Sequence, residues 1–235
     1  KGHIRSMIKI INSSPEVLNS KFNRFSRMMI NGQHRDSTYV ISQMRQYEKQ
    51  YKKVGMLDVF CDQTSKLADA LHHRGLDDFA GILYSNLVKL PNISPKQKEV
   101  FAQRALEVAQ NQGDMLHTLA RIVDLKKVYQ NNGRKRQVID ALLLEEKQLL
   151  AIIKDFEKTK RSYRTYNRGV SSIETYQLRL AMARVDIAKG LMNSNPEAGE
   201  RKVLLAIPAF EALGREKEAR FAQNILQQLQ QKLGR

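Results

Sequence analysis

The chain has 235 residues, 42% of them hydrophobic, and its 40 Lys and Arg exceed its 24 Asp and Glu to give a formal net charge of +16. This apolar content can supply a buried core, and no apolar run approaches the roughly 18 residues that a membrane-spanning helix needs. We therefore expect no membrane partner. The single cysteine, Cys61, excludes an internal disulfide framework, which favours a cytoplasmic location.

Turn residues recur about every twenty residues, and the segments between them have the hydrophobic periodicity of helices. The breaks lie near Gly55, Gly75, Pro91, Gly113, Gly133, Gly169, Pro196 and Gly214. The predicted helices cover residues 15–31, 37–54, 57–74, 76–90, 95–112, 114–131, 134–165, 171–192, 196–213 and 215–233. This pattern predicts an all-α fold of about five antiparallel helix pairs in a single helical-repeat domain over residues 1–235. We expect residues 1–14 to be partly disordered or foreign to the native chain.

Four helix starts have a serine three residues before Glu or Gln, which is the spacing of a capping box. The predicted pairs are Ser13 with Glu16, Ser94 with Gln97, Ser171 with Glu174, and Ser194 with Glu197. In three of them a proline also stands near the first helical position, where its missing N–H is not needed.

The predicted helix over residues 134–165 is much longer than its neighbours. Leu142, Leu149, Phe156 and Tyr163 recur at heptad spacing, which allows a coiled-coil arm, although there are too few heptads to require one. A long helix of the array is the simpler interpretation. We expect residues 158–170 to form a basic loop or an extension of this helix.

Residues 64–91 resemble a tetratricopeptide repeat, in which large and small residues stand at fixed offsets around a central turn. The matching residues are Leu67, Ala68 and Leu71 before Gly75, then Ala80, Tyr84 and Leu87, with Pro91 closing the unit. A C-terminal unit with Phe210, Gly214, Ala219 and Leu226 is similar. The resemblance implies helix pairs stacked into a right-handed superhelix with a concave groove that binds peptides. No family ligand-binding residue can be aligned with this chain.

The positive charge is concentrated in residues 1–55 and 126–168, which predicts a directed electrostatic field. The strongest candidate partner-binding segment interleaves cations with two tyrosines: Lys158, Lys160, Arg161, Tyr163, Arg164, Tyr166 and Arg168. Arg134, Lys135 and Arg136 open the same helix, where cations oppose the helix dipole. The segment suits an acidic protein partner or single-stranded nucleic acid, and a solvated helix end is the third interpretation.

Tyr47 and Tyr51 accompany a second group of basic residues and are four residues apart, so they share a helix face. They could present aromatic rings to a partner, but packing between helices is the favoured interpretation. Cys61 is on the apolar side of its predicted helix, which indicates a buried, unreactive thiol.

Sequence motifs of catalysis, cofactor binding and metal binding are missing from the chain. We therefore predict a non-catalytic scaffold or adaptor without a cofactor or small-molecule substrate, whose partner is an acidic protein segment bound through a groove and a basic surface. Nucleic-acid binding is the first alternative. A regulatory domain of a larger protein is the second.

Overall fold

The computed structural model describes residues 14–33, 36–159, 163–164 and 170–235, with the backbone alone at residues 163–164 and 170–171. The helices of this part are α1 (Pro15–Ile30), α2 (Ser37–Lys53), α3 (Leu57–His73), α4 (Asp77–Val88), α5 (Pro95–Asn111), α6 (Met115–Asn131), α7 (Lys135–Thr159), α8 (Ile173–Leu191), α9 (Pro196–Ala212) and α10 (Glu216–Lys232). Two short strands, β1 (Tyr163–Arg164) and β2 (Val170–Ser171), pair antiparallel. The predicted all-α class is confirmed, with bounds that agree to within two residues except at the end of α7.

The prolines fix where three helices begin. Pro15, Pro95 and Pro196 each occupy the first helical position, so the N-cap is the residue before each proline. At Ser94 this register coincides with the predicted capping box, which is complete. At the other two helices the N-cap is one residue later than predicted, at Ser14 and Asn195. The N-cap of α8 is likewise Ser172, not the predicted Ser171.

The chain divides into two compact units, Lys1–Gly113 and Asp114–Arg235. In the first unit α3 and α4 form the helix pair that the tetratricopeptide resemblance implies. The apolar residues that match the repeat are all buried: Leu67, Ala68, Leu71, Ala80, Tyr84 and Leu87. Gly75 turns the chain between them with φ of 71°, a conformation that side chains disfavour. Arg104 of α5 and the hydroxyl of Tyr84 both donate to Asp69, which ties α5 to this pair.

In the second unit each helix from α6 to α10 packs against the next helix along the chain. Small residues allow α8, α9 and α10 to approach closely, because Gly199 and Ala188 are buried between them. A Cβ atom on Gly199 would lie 3.1 Å from Leu229 of α10 and 3.2 Å from the carbonyl oxygen of Ala188. A right-handed superhelix and a single domain over residues 1–235 stay predictions.

The end of α7 differs from the sequence prediction. The helix ends at Thr159, whose hydroxyl donates to the carbonyl of Asp155, and does not continue to residue 165. Beyond the half-buried Phe156, the last described residues of the helix, 157–159, are exposed and polar, so packing contributes little to this last turn. The backbone of Tyr163 and Arg164 pairs instead with Ser171 and Val170.

Candidate partner-binding surfaces

The predicted cations of α7 are solvent-exposed where the structure describes them. Arg134, Lys135 and Arg136 are all exposed at the start of the helix, and Lys158 is exposed in its last turn. The predicted residues Lys160, Arg161, Tyr166 and Arg168 lie outside the described residues. Tyr163 and Arg164 are described by their backbone only.

The length of α7 separates these cations into two groups. From Arg136 to Lys158 the helix rises about 33 Å at 1.5 Å per residue. The structure therefore places Arg134, Lys135 and Arg136 at the opposite end of α7 from Lys158. The backbone of Arg164 pairs with Val170, three residues before the start of α8. A small ligand cannot contact both groups at once.

Four other cations of the second unit bind buried carboxylates. Glu145 and Glu146 of α7 are only 2% and 6% exposed. Lys126 Nζ and Arg179 Nη2 lie 2.6 and 2.9 Å from Glu145, whereas Arg184 Nε and Lys202 Nζ lie 3.0 and 2.5 Å from Glu146. These cations stabilise the fold and are not available to a partner. These ion pairs were not predicted from the sequence, although two adjacent acids on the inward face of an amphipathic helix are a usable signal.

Tyr47 and Tyr51 of α2 pack in the core of the first unit. Tyr51 is fully buried, and its hydroxyl lies 2.8 Å from Asn19 and 2.6 Å from Gln63, so it connects α1, α2 and α3. The rings of Tyr47 and Tyr51 make edge contacts with Phe22 at 5.2 and 6.2 Å. Packing between helices, the favoured interpretation of this tyrosine pair, accounts for both residues.

The opposite side of α2 carries an exposed cationic stripe, which we call the α2 stripe: Arg45, Lys49 and Lys52. At 100° per residue these positions fall within about 60° of the helix circumference. None of the three makes an ion pair or hydrogen bond with a side chain of the described residues. The stripe is therefore a set of cations that the fold leaves accessible to a partner.

A cavity of about 160 Å³ lies beside the α2 stripe. Its wall consists of Met44, Arg45 and Glu48 from α2, Phe60 and Thr64 from α3, and Asn86, Leu87, Lys89 and Leu90 at the end of α4. Thr64 is fully buried, and its hydroxyl has no hydrogen-bond partner among the described residues. A buried hydroxyl without a partner costs about 1–3 kcal/mol, so this cavity is not an ordinary part of the core.

The short α4 explains why the cavity exists. This helix has 12 residues, whereas the flanking α3 and α5 have 17 each. The difference corresponds to about 7.5 Å of helix. Lys89 and Leu90 donate to the carbonyls of Asn86 and Leu87 in a closing turn, and Pro91 has no N–H with which to continue. The described residues at the end of α4 therefore leave the cavity between α2 and α3 open.

Cys61 has no sign of activation. It is buried, and burial raises the pKa of its thiol to about 11, with smaller contributions from Asp58 and Asp62. The described residues contain no group of three or more His, Cys, Asp and Glu side chains that could hold a metal ion. Among the same residues, no helix is both long and apolar enough to cross a lipid bilayer.

No protein-family model and no curated protein matches this sequence. The crystal structure of BtubC (BKLC) from P. vanneervenii is 13% identical, with 84% of this chain and 89% of that chain covered and a TM-score of 0.31. A kinesin-light-chain-type protein from Podosopora anserina with nearly identical TPR-like repeats is 15% identical, with 83% and 97% covered and a TM-score of 0.31. A variant crystal structure of that protein is 13% identical, with 86% and 99% covered and the same TM-score of 0.31. Similarity at this level supports no inference about a partner.

Proposed function

We propose that this chain is a non-catalytic scaffold that binds an acidic segment of another protein. The observation that carries the proposal is the α2 stripe, where Arg45, Lys49 and Lys52 are exposed on one side of a helix and make no ion pair with the described residues. By contrast, Glu145 and Glu146 hold other cations of the chain inside the fold. The cations that pair with buried carboxylates are therefore not the cations that a partner can reach. Only the latter are available for binding.

Binding begins with electrostatic attraction. An exposed ion pair contributes only about 0.2–1 kcal/mol and is screened by salt. Three cations on one stripe attract a segment with several acids more strongly than a segment with one, and they raise its association rate. The affinity of the scaffold should consequently depend on ionic strength.

The predicted cations at the two ends of α7 are a separate proposed binding surface within the second unit. Arg134, Lys135 and Arg136 would contact the partner at one end of this helix. Lys158, Lys160, Arg161, Tyr163, Arg164, Tyr166 and Arg168 would contact it at the other end. Because the two ends are about 33 Å apart, we expect two separate contacts.

Nucleic acid is the less favoured partner. Proteins that bind single strands combine cations with exposed aromatic rings on which bases stack. Tyr47 and Tyr51, on the other side of α2 from the stripe, do not have this role, because Tyr51 is fully buried and Tyr47 packs on Phe22. The cations of α2 therefore resemble a site for carboxylates more than a stacking platform.

Reversal of the stripe charges tests the proposal. The triple variant R45E/K49E/K52E should bind a fluorescent peptide of Glu and Asp at least about tenfold more weakly than the unmodified chain. The matched control R201E/K217E/R220E makes the same change of net charge on exposed residues of the second unit. An equal loss of affinity in both variants would show that net charge alone controls binding, and the proposed site would then be wrong.

A further inference from the structure

The cavity beside the α2 stripe has the properties of a site for one side chain. We propose that it anchors a neutral side chain with an apolar stem and a hydrogen-bonding tip, contributed by the acidic partner segment. The inference rests on the proposed function, because the anchor would belong to the same segment that the α2 stripe attracts.

The size of the cavity suits a single side chain. A cavity of about 150 Å³ lined by apolar residues holds one benzene molecule, and the cavity in this chain has a volume of about 160 Å³. Met44, Phe60 and Leu87 form its buried apolar floor. Its accessible rim is polar and consists of Arg45, Glu48, Asn86 and Lys89. An aromatic ring or a short unbranched stem would fill this space.

Thr64 determines the chemistry of the tip. Its hydroxyl is buried, and no described residue satisfies it. A ligand atom that donates or accepts a hydrogen bond there would remove the cost of leaving the hydroxyl unpaired. We expect a neutral tip, because burial of a charge beside Phe60 and Met44 costs its hydration, and because Glu48 in the same wall repels an acidic tip. Tyrosine and glutamine have this combination of stem and tip.

The residues at the rim of the cavity indicate which residues of the partner segment lie on either side of the anchor side chain. Arg45 belongs both to the cavity wall and to the α2 stripe, so the two features are continuous. From Arg45 to Lys52 the stripe extends about 10 Å, which matches about three residues of an extended peptide. We therefore expect acids within about three residues of the anchor. The chain's own residues 1–13 contain three Lys or Arg and no acid, so like charge disfavours them as the occupant.

The test compares fluorescent acidic peptides that differ at one central position, where Tyr, Gln, Phe or Ala stands between Glu and Asp residues. The Tyr and Gln peptides should bind about fivefold more tightly than the Ala peptide, as expected for one added hydrogen bond and a filled cavity. In T64V the advantage of Tyr over Phe should disappear, while the affinity for the Ala peptide stays the same. The control T118V makes the same change at a buried position of the second unit.

Three results would contradict the inference in different ways. Equal binding of all four peptides, with the expected salt dependence, would remove the anchor site and leave the proposed function standing. Tighter binding of the Phe peptide to T64V than to the unmodified chain would show that the cavity takes a purely apolar side chain. If no peptide binds, the proposed function fails together with the anchor. Thermal unfolding checks separately that T64V folds. The midpoint temperature of T64V should equal or exceed that of the unmodified chain.

Discussion

Glu145 of α7 accepts two hydrogen bonds from Arg179 of α8 on the same carboxylate oxygen, at 3.0 Å from Nε and 2.9 Å from Nη2. The other oxygen of Glu145 binds Lys126 of α6 at 2.6 Å. One buried carboxylate thus connects three consecutive helices of the second unit. Ion pairs of this kind stabilise a fold less than apolar packing does, but removal of one partner is costly because the remaining charges stay buried.

We expect Glu145→Gln to lower the free energy of unfolding by about 3 kcal/mol, since Lys126 and Arg179 would lose their counterion. Glu157→Gln, at an exposed position of the same helix, should change the free energy by less than about 0.5 kcal/mol. Urea unfolding followed by circular dichroism measures both values. A similar loss of unfolding free energy in both variants would mean that the buried ion pairs of Glu145 stabilise the fold no more than an exposed charge does.

Tyr51→Phe should destabilise the first unit by about 1–2 kcal/mol, because the buried hydroxyl bonds both Asn19 and Gln63. Tyr47→Phe removes one exposed hydrogen bond to the carbonyl of Lys21 and should cost less. Denaturant unfolding of the two variants provides the comparison. A larger loss for Tyr47→Phe would contradict the assignment of Tyr51 as the link between three helices.

Cys61 should react slowly with iodoacetamide at about pH 8 and quickly after unfolding in guanidinium, since burial raises the pKa of its thiol to about 11. The folded pKa is above the unfolded value of about 8.5. Stability from this group is therefore fully present below about pH 8.5 and decreases as pH rises towards 11. The alkylation rate of Cys61 as a function of pH tests this prediction. Rapid labelling of the folded chain at neutral pH would contradict it.

Arg136→Glu and Lys158→Glu should each weaken binding of the acidic partner, and their effects on binding free energy should add. The two side chains are on opposite ends of α7, about 33 Å apart, and sites separated by more than about 10 Å are normally independent. A double-mutant cycle on peptide affinity tests this expectation. A coupling energy above about 0.5 kcal/mol would indicate that one compact ligand contacts both ends.

The positions of the helices could be predicted because glycine and proline separate segments with a clear apolar period. The predicted stripe of Leu67, Ala68 and Leu71 is buried for this reason. Helix ends were predicted less well. The capping-box spacing placed three N-caps one residue early. At two of these helices Pro15 and Pro196 occupy the first helical position, which fixes the N-cap at the residue before each proline.

The candidate site was harder to predict than the fold. The cavity depends on the end of α4 at Val88, two residues before the predicted end, and on a buried Thr64 that has no local sequence signal. The buried Glu145 could have been inferred from its place on the inward face of α7 between Leu142 and Leu149. Which cations would pair with it depends on the packing of α6, α7 and α8, which periodicity alone does not define.

The most direct test of the central claim is a titration of the full chain with a fluorescent acidic peptide and with a single-stranded RNA of equal charge, from about 50 to about 500 mM salt. We predict that the peptide binds more tightly at every salt concentration, that its affinity falls as salt rises, and that R45E/K49E/K52E loses most of the binding. Tighter binding of the RNA, with a steep salt dependence and little effect of the triple variant, would contradict the proposal and identify the chain as a nucleic-acid-binding module.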